Sequence, residues 1–144
     1  MAYNSIQSKV ERAAASVVSS AAAGVSCAVF TGLDSDAITL PCVICEAGNA
    51  SPPAGLQFTG IQRVELMVSV RSNKSDSTPS QHEARAAAIF DSLTVDNAAA
   101  ALSSAVSDFT AHLVEIGQSS QSVEDDSHIS AMSFYVTCSP SDIS

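Results

Sequence analysis

The chain has 144 residues, so residues 1–144 are predicted to form a single domain that needs no metal or disulfide to fold. Apolar residues make up 46% of it, with no run long enough for a membrane-spanning helix. Fifteen acidic residues against six basic ones leave a formal net charge of −9, which excludes binding to DNA through clustered lysines and arginines.

The N-terminal segment has the apolar spacing of an amphipathic helix from Ser5 to Ala23, ended by Gly24. Because Glu11 interrupts its start and leucine is absent, we do not expect a secretory signal, and we expect free cysteines in a reducing compartment. The residues that follow, Val25–Leu33, fit either a short strand or a further helical turn. The apolar face of the helix comprises Ile6, Val10, Ala13, Ala14, Val17 and Ala21.

Two strands are predicted next, on either side of a loop. Residues 37–49, with the sequence AITLPCVICEAGN, predict a strand that ends at Gly48 and Asn49. Ala50–Gly60 contains two prolines and two glycines, which interrupt regular structure. Ile61–Asn73 alternates with a period of two, which predicts one buried and one polar face. The buried set is Val64, Leu66, Val68 and Val70, and the polar set is Arg63, Glu65, Met67, Ser69 and Arg71.

Cys42 and Cys45 form a Cys-x-x-Cys pair inside the first of these strands. A redox pair requires a helix N-terminus that lowers a thiol pKa. A zinc site requires a tight turn and a second pair of ligands, whereas Cys27 and Cys138 stand alone. Positions three apart in a strand face opposite sides of the sheet. The pair is therefore predicted to pack in the sheet without a metal.

Two helices are predicted in the middle of the chain. Thr78 and Gln81 match a capping box at the start of the first helix. Asp96 or Asn97 is placed to cap a short helix over Ala98–Val106. The apolar stripe of the first helix comprises Ala86, Ile89, Phe90 and Leu93.

The C-terminal part predicts a hairpin of two strands, Phe109–Gly117 and His128–Pro140, joined by a polar loop over Gln118–Asp126. A bulge is expected near Ala131, where the alternation slips. Three acids end the loop, but without the ligand spacing and closing glutamate of a calcium loop, so we expect a solvated tip. The acids are Glu124, Asp125 and Asp126, and the expected inward residues of the last strand are Ile129, Met132 or Phe134, and Val136 or Cys138.

This order of elements predicts an α+β fold, a mainly antiparallel four-stranded sheet with helices packed on one face. Among the histidines, His82 is expected on a solvated helix face, and His112 and His128 opposite each other across the last hairpin. The sequence contains no nucleophile elbow, phosphate loop or dinucleotide fingerprint. We therefore predict no enzymatic activity and no cofactor.

Four segments follow the N-terminal helix in a recognisable order: the strand LPCVICEAGN, the strand VELMVSVRS, the helix HEARAAAIFDSL, and a hairpin from HLVEIG to DDSHISAMSFYVTCSP. From Ser5 to Pro140 this pattern resembles the tail terminator, or tail completion, proteins of tailed bacteriophages. The helices rich in alanine and serine, and the cysteine pair, depart from the family pattern.

The resemblance implies a structural virion protein that forms a ring, usually of six subunits, on the last ring of the tail tube. The ring would stop polymerisation of the tail tube protein and bind the connector or stopper protein of the head. DNA would pass through a lumen whose negative charge keeps it from adhering. Assembly would occur in the host cytoplasm and the mature location would be the neck of the virion, with no membrane partner. Two alternatives stay open: another neck component, such as a head–tail adaptor or stopper, and a small intracellular α+β enzyme or ligand-binding domain.

A candidate surface for a neighbouring subunit or the lumen is the polar face of the Ile61–Asn73 strand, with a plain solvated sheet face as the alternative. The loops Ala50–Gly60 and Gln118–Asp126 are expected to project along the ring axis, because long loops on a small rigid domain often contact partners. The candidate interface residues are Arg63, Glu65, Met67, Arg71, Glu124, Asp125 and Asp126.

Overall fold

A computed structural model describes residues 6–32, 41–51, 61–75, 77–95, 97–106, 109–124 and 126–139. The strands form one mixed sheet in the order β1-β2-β3-β5-β4. The predicted α+β class is confirmed, but the sheet has five strands rather than four. The elements within these ranges are α1 (Ile6–Gly24), β1 (Ala28–Thr31), β2 (Cys42–Ser51), β3 (Gln62–Asn73), α2 (Pro79–Thr94), α3 (Ala98–Ala105), β4 (Thr110–Glu124) and β5 (Ser127–Ser139).

The additional strand is β1, which pairs in parallel with β2. It lies in the segment that the sequence left open between a strand and a helical turn. Cys27 N–H donates to the Ala22 carbonyl at 2.8 Å, and Ser26 adopts a left-handed φ of 56°, which turns the chain out of α1. Four residues are too few to show a period of two, so the sequence pattern did not identify this strand.

The alternation predicted for β3 is confirmed, since its four inward residues are all buried. They pair with inward residues of β5, for example Leu66 with Phe134. The predicted register of β5 is wrong at its start: Ile129 lies opposite Arg71 on the outer face, and Ser130 takes the inward position. The expected bulge near Ala131 does not interrupt the continuous pairing of β3 with β5. Ser130 faces inward although it is polar, so the alternation of apolar and polar residues in β5 could not be recognised from the sequence.

The helices cover one face of the sheet, as predicted. α1 lies on β1, β2 and β3, α2 lies on β3 and β5, and α3 packs between α1 and β4. Within the described ranges, no helix is long and apolar enough to cross a membrane. The largest fully buried side chains of the helices are Val10, Val18, Ile89, Leu93 and Leu102.

Glu11 anchors α1 to the sheet. Its side chain is only 8% exposed, and its Oε2 accepts a hydrogen bond of 2.9 Å from the Ala47 backbone N–H. The register of β2 against β3 shifts between Ala47 and Ala50. The carboxylate therefore satisfies a backbone donor at an irregular point of the strand, where a buried unpaired N–H would be costly.

The capping box of α2 is confirmed: Thr78 Oγ1 accepts from the Gln81 N–H at 3.2 Å, and Gln81 Oε1 accepts from the Thr78 N–H at 2.9 Å. In the predicted stripe Phe90 is half-buried, while the other three residues are buried. Asn97 stands before α3 but its side chain makes no capping hydrogen bond, and Asp96 lies outside the described residues.

The prediction of a loop over Gln118–Asp126 is wrong. Residues 118–124 continue β4, and from Ser119 to Glu124 they pair with β5 down to Ser127. We call residues 118–124 together with residues 127–132 the hairpin arm. The serines and glutamines of this stretch carry little strand signal, but backbone hydrogen bonds to β5 do not depend on side-chain type. Of the other predicted loop, residues 50 and 51 belong to β2, and residues 52–60 lie outside the described residues.

Candidate functional site

The four candidate residues of β3 share the outer face of the sheet, opposite the helices. Met67 is 38% exposed, and Arg63, Glu65 and Arg71 are half-buried. The outer face therefore carries charges of both signs around one exposed apolar side chain. Such a mixture is compatible with contact to another protein as well as with solvent.

Arg63 is held in place by neighbouring strands. Its guanidinium carbon lies 4.0 Å from the centre of the Tyr135 ring, and its Nε lies 3.6 Å from Glu115 Oε1. Tyr135 belongs to β5 and Glu115 to β4, so this arginine bridges three strands. An ion pair at such exposure contributes little to stability.

The two other charged candidate residues of β3, Glu65 and Arg71, lie between paired neighbouring strands. A Cβ atom added at Gly48 of β2 would lie 3.3 Å from Glu65 Oε1. Arg71 pairs with Cys42 of β2 and with Ile129 of β5, and its Nε is buried without a hydrogen-bond partner among the described residues. Both residues therefore lie in the middle of the sheet, with a paired strand on each side, and both are half-buried.

Two of the three candidate acids, Glu124 and Asp126, lie on either side of the connection between β4 and β5. Glu124 pairs with Ser127, so β4 and β5 stay paired up to their connection and Glu124 belongs to a strand rather than to a long loop. Asp126 is exposed, and its carbonyl accepts a hydrogen bond of 2.9 Å from the Lys74 N–H. Asp125 and the side chain of Glu124 lie outside the described residues.

Cys42 and Cys45 face opposite sides of the sheet, as predicted, because Cys42 lies opposite the outward Arg71 and Cys45 opposite the inward Val68. Both thiols are fully buried. Burial raises the pKa of Cys45 to about 12, with a further contribution from Glu11, and burial also raises the pKa of Cys42. Two protonated thiols on opposite faces cannot ligate one ion, and neither is activated as a nucleophile.

A polar cluster between α2 and the sheet was missed by the sequence reasoning. The prediction of a solvated His82 is wrong, since the residue is 5% exposed. Its Nδ1 lies 2.9 Å from Ser72 Oγ and its Nε2 lies 2.8 Å from Ser130 Oγ. Arg85 Nη1 donates to Ser72 Oγ at 3.0 Å and to Ser77 Oγ at 2.7 Å. The cluster therefore connects α2 to β3 and β5.

The prediction that His112 and His128 face each other is also wrong. His112 Nε2 lies 3.0 Å from Ser139 Oγ, whereas His128 lies opposite Val123 near the end of the hairpin arm. The ring of His128 instead lies 5.5 Å from that of His82. A strand register that the sequence does not determine placed the two histidines at different ends of the hairpin.

The His82 cluster contains a histidine beside serine hydroxyls, as a nucleophile and its base would be arranged. Ser72 is fully buried and Ser130 is 4% exposed, and both hydroxyls lie at hydrogen-bond distance from the His82 ring, although His82 and Ser130 also border a cavity of about 220 Å³. Burial lowers the pKa of His82, as do the neighbouring His128 and Arg85, while Glu83 has a smaller opposite effect. The geometry describes a neutral histidine that joins a helix to a sheet. Among the described residues no three metal-ligating side chains lie together.

A groove of about 490 Å³ runs between α2 and the hairpin arm. Its helical wall contains Ala86, Ala87 and Phe90, and its other side includes Met132 and Gln121. This groove arises from the arm, so the prediction of a polar loop could not reveal it.

Comparison with known proteins is informative about the fold. No protein-family model and no curated protein matches the sequence. The structure is similar to a chain from a solved structure described as "Virion of native gene transfer agent (GTA) particle", with a TM-score of 0.59 and 18% sequence identity. The similarity covers 88% of this chain and 93% of that chain. The two chains therefore share a fold over nearly their whole lengths.

Proposed function

We propose that this chain is a structural virion protein of the tail terminator type. In this proposal it forms a ring of six subunits that caps the tail tube, ends tube polymerisation and joins the tail to the head connector. The observation that carries the proposal is the shared fold with a chain of a gene transfer agent virion, over 88% of this chain and 93% of that one. At 18% identity the likeness concerns the fold, and the role in the virion is our inference.

The outer face of the sheet is proposed to face the lumen or a neighbouring subunit. Helices cover the other face, and Arg63, Glu65, Met67 and Arg71 are among the side chains that the sheet presents on this side. A subunit with a formal net charge of −9 suits a channel through which DNA passes without adhering. The mixed charges of this face argue against a strongly attractive phosphate-binding surface.

The turn at the end of the hairpin arm is proposed to contact the tail tube or the connector. Glu124, Asp125 and Asp126 give it a concentrated negative charge. β4 and β5 stay paired as far as Glu124 and Ser127, so the two strands hold the ends of this turn.

The test is an in vitro complementation with purified protein. Tails that lack the protein are mixed with it and then with heads, and infectious particles are counted while negative-stain images are recorded. We expect rings on tail ends and a rise in particle number. Tails that already carry the protein are the control and should gain nothing. Binding to heads but not to tails would favour another neck component, and a wild type that stays monomeric even with tails would contradict the ring.

A further inference from the structure

Open space lies along the boundary between α2 and the hairpin arm. The groove of about 490 Å³ follows α2 from Glu83 to Phe90, and the cavity of about 220 Å³ continues it to the start of the helix. Gln121 of β4 and Ser130 of β5 border both spaces. The β4 side of the arm, residues 118–123, is exposed throughout. Sparse packing of this kind allows one segment to move separately from the rest of a fold.

The two halves of α2 are attached to the sheet by different interactions. Ile89 and Leu93, in the second half, are fully buried among apolar residues. From residue 79 to residue 85, His82 is the one buried side chain. Arg85 also contributes to this half through its hydrogen bonds to serine hydroxyls of the cluster. The first turns of the helix are therefore held by polar contacts, and the last turns by apolar burial.

Two histidine rings meet under the first half of α2. His82 Nε2 lies 2.8 Å from Ser130 Oγ, and its Nδ1 lies 2.9 Å from Ser72 Oγ. The centre of its ring is 5.5 Å from that of His128, which faces inward from β5. Both histidines border the cavity of about 220 Å³. Histidine is the side chain that ordinarily changes its charge in mildly acidic solution, and here two of them adjoin where the packing is open.

The surroundings of His82 disfavour its protonation. Burial lowers the pKa of His82 most, the neighbouring His128 and Arg85 lower it further, and Glu83 raises it. The hydroxyl partners on β3 and β5 are neutral, and residues 121–123, which border the cavity from β4, carry no charge. Within the described ranges, protonation of both rings therefore places three cations beside one carboxylate in a partly buried site.

We propose that His82 is a pH-dependent connection between α2 and the sheet, closed when the rings of His82 and His128 are neutral and open when they are protonated. In the open form the first turns of α2 separate from β3 and β5, while Ile89 and Leu93 keep the rest of the helix in place. This inference goes beyond the proposed ring and does not depend on it.

The direction of the pH dependence follows from the two environments of His82. In the open form the ring is hydrated and regains its ordinary pKa of 6.5, so below that pH the open form binds a proton that the closed form lacks. The closed form is therefore favoured above pH 6.5 and loses this advantage as the pH falls below it. The change is confined to the first turns of α2, which distinguishes it from a general loss of stability.

Hydrogen exchange of the purified chain, followed by mass spectrometry, tests this opening. Labelling is carried out at pH 7.5 and at pH 5.5, with times corrected for the intrinsic rate of amide exchange. We expect the protection of His82–Arg85 to fall by about fivefold at the lower pH, and that of Ile89–Leu93 and of β3 to stay within about twofold.

Three histidine variants identify the groups that act. His82→Gln removes the titrating ring and should abolish the pH-dependent loss of protection. His128→Gln removes the neighbouring ring alone, so the loss should shrink by about half, and the NMR titration of His82 should move to higher pH. His112→Gln, at an exposed histidine that contacts Ser139, is the matched control and should behave like the wild type. Circular dichroism checks that each variant is folded.

The outcomes separate a local opening from its alternatives. Unchanged protection of His82–Arg85 in the wild type overturns the proposal, and an equal loss in all segments at pH 5.5 leaves a general loss of stability in its place. A loss that persists in His82→Gln overturns the assignment to His82. An unchanged His82 titration in His128→Gln overturns the coupling of the two rings. None of these results bears on the proposed ring, which the complementation tests separately.

Discussion

Two buried polar side chains, Glu11 and His82, each tie a helix to the sheet. Glu11 accepts from a backbone N–H of β2, and His82 contacts serine hydroxyls of β3 and β5. Hydrogen bonds of this kind contribute about 1 kcal/mol each, but an unsatisfied buried partner costs more. The positions of α1 and α2 therefore depend on a few polar contacts in addition to apolar burial.

The buried His82 predicts a loss of stability on mild acidification. Its pKa is lowered from the ordinary value of 6.5, so below that pH the unfolded chain binds a proton that the folded chain does not. Stability should therefore fall as the pH drops from 7.5 to 5.5, a range in which most carboxylates stay ionised. Thermal unfolding across this range measures the effect.

A matched pair of variants tests the assignment to His82. His82→Gln should flatten the pH dependence and lower the Tm at pH 7.5, because it disrupts the bonds to the serines. His112→Gln, at an exposed histidine, should leave the slope unchanged. An equal slope in wild type and His82→Gln would contradict the assignment.

At the scale of elements, an irregularity in β4 determines where the hairpin arm begins. The register of β4 against β5 shifts between Ile116 and Ser119. At the shift, Ser133 Oγ accepts a hydrogen bond of 2.8 Å from the Gln118 N–H. The same hydroxyl donates a hydrogen bond of 3.3 Å to the Gln118 carbonyl. The side chain of β5 thus replaces backbone pairing where the two strands are out of step.

Gly117 is required at this bulge. A Cβ atom there would collide with Ser133 Oγ and lie 2.9 Å from Tyr135 Cε2. Gly117→Ala should therefore destabilise the protein by about 1–3 kcal/mol, measured by denaturant unfolding. Gly24→Ala is the control, because a Cβ atom at Gly24 has no neighbour within 4 Å and alanine favours a helix. Equal stability of Gly117→Ala and Gly24→Ala would contradict the requirement for glycine at the bulge.

At the scale of the whole molecule, the four cysteines report on how cooperatively it unfolds. They lie before β1, in β2 and in β5, and all are free and buried. Burial, with a smaller effect from Cys42, raises the pKa of Cys27 to about 11, while burial alone raises that of Cys138 to about 12. A reagent that needs thiolates has almost none to attack in the folded state.

Thiol labelling at pH 8 should therefore be at least about 100-fold slower in the native protein than in urea. All four cysteines should become reactive together as the protein unfolds, since they share one sheet and its helical layer. Stopped labelling with mass spectrometry counts the reacted thiols. Rapid labelling of Cys42 and Cys45 alone, or zinc at one ion per chain, would contradict a packing role.

Local patterns determined α1, β3, the capping box of α2 and the packing of the cysteine pair. In each case the signal is contained within a few turns or one strand: a period of three to four, a period of two, or the Thr78–Gln81 spacing. The four candidate residues of β3 share the outer face, as the period of two predicted, while their role in a contact stays a prediction. A local pattern specifies the face that an element presents, because that face must be buried.

Only the tertiary structure decided the fifth strand, the hairpin arm, the groove and the surroundings of His82. β1 is too short to show the period of two of a strand, and the hairpin arm is too polar to show it. Ser72, His82 and Ser130 meet because three distant segments pack together, and an isolated histidine in the sequence gives no sign of this. Strand pairing uses backbone groups that every residue carries, so side chains alone leave the partner and register of a polar strand undetermined.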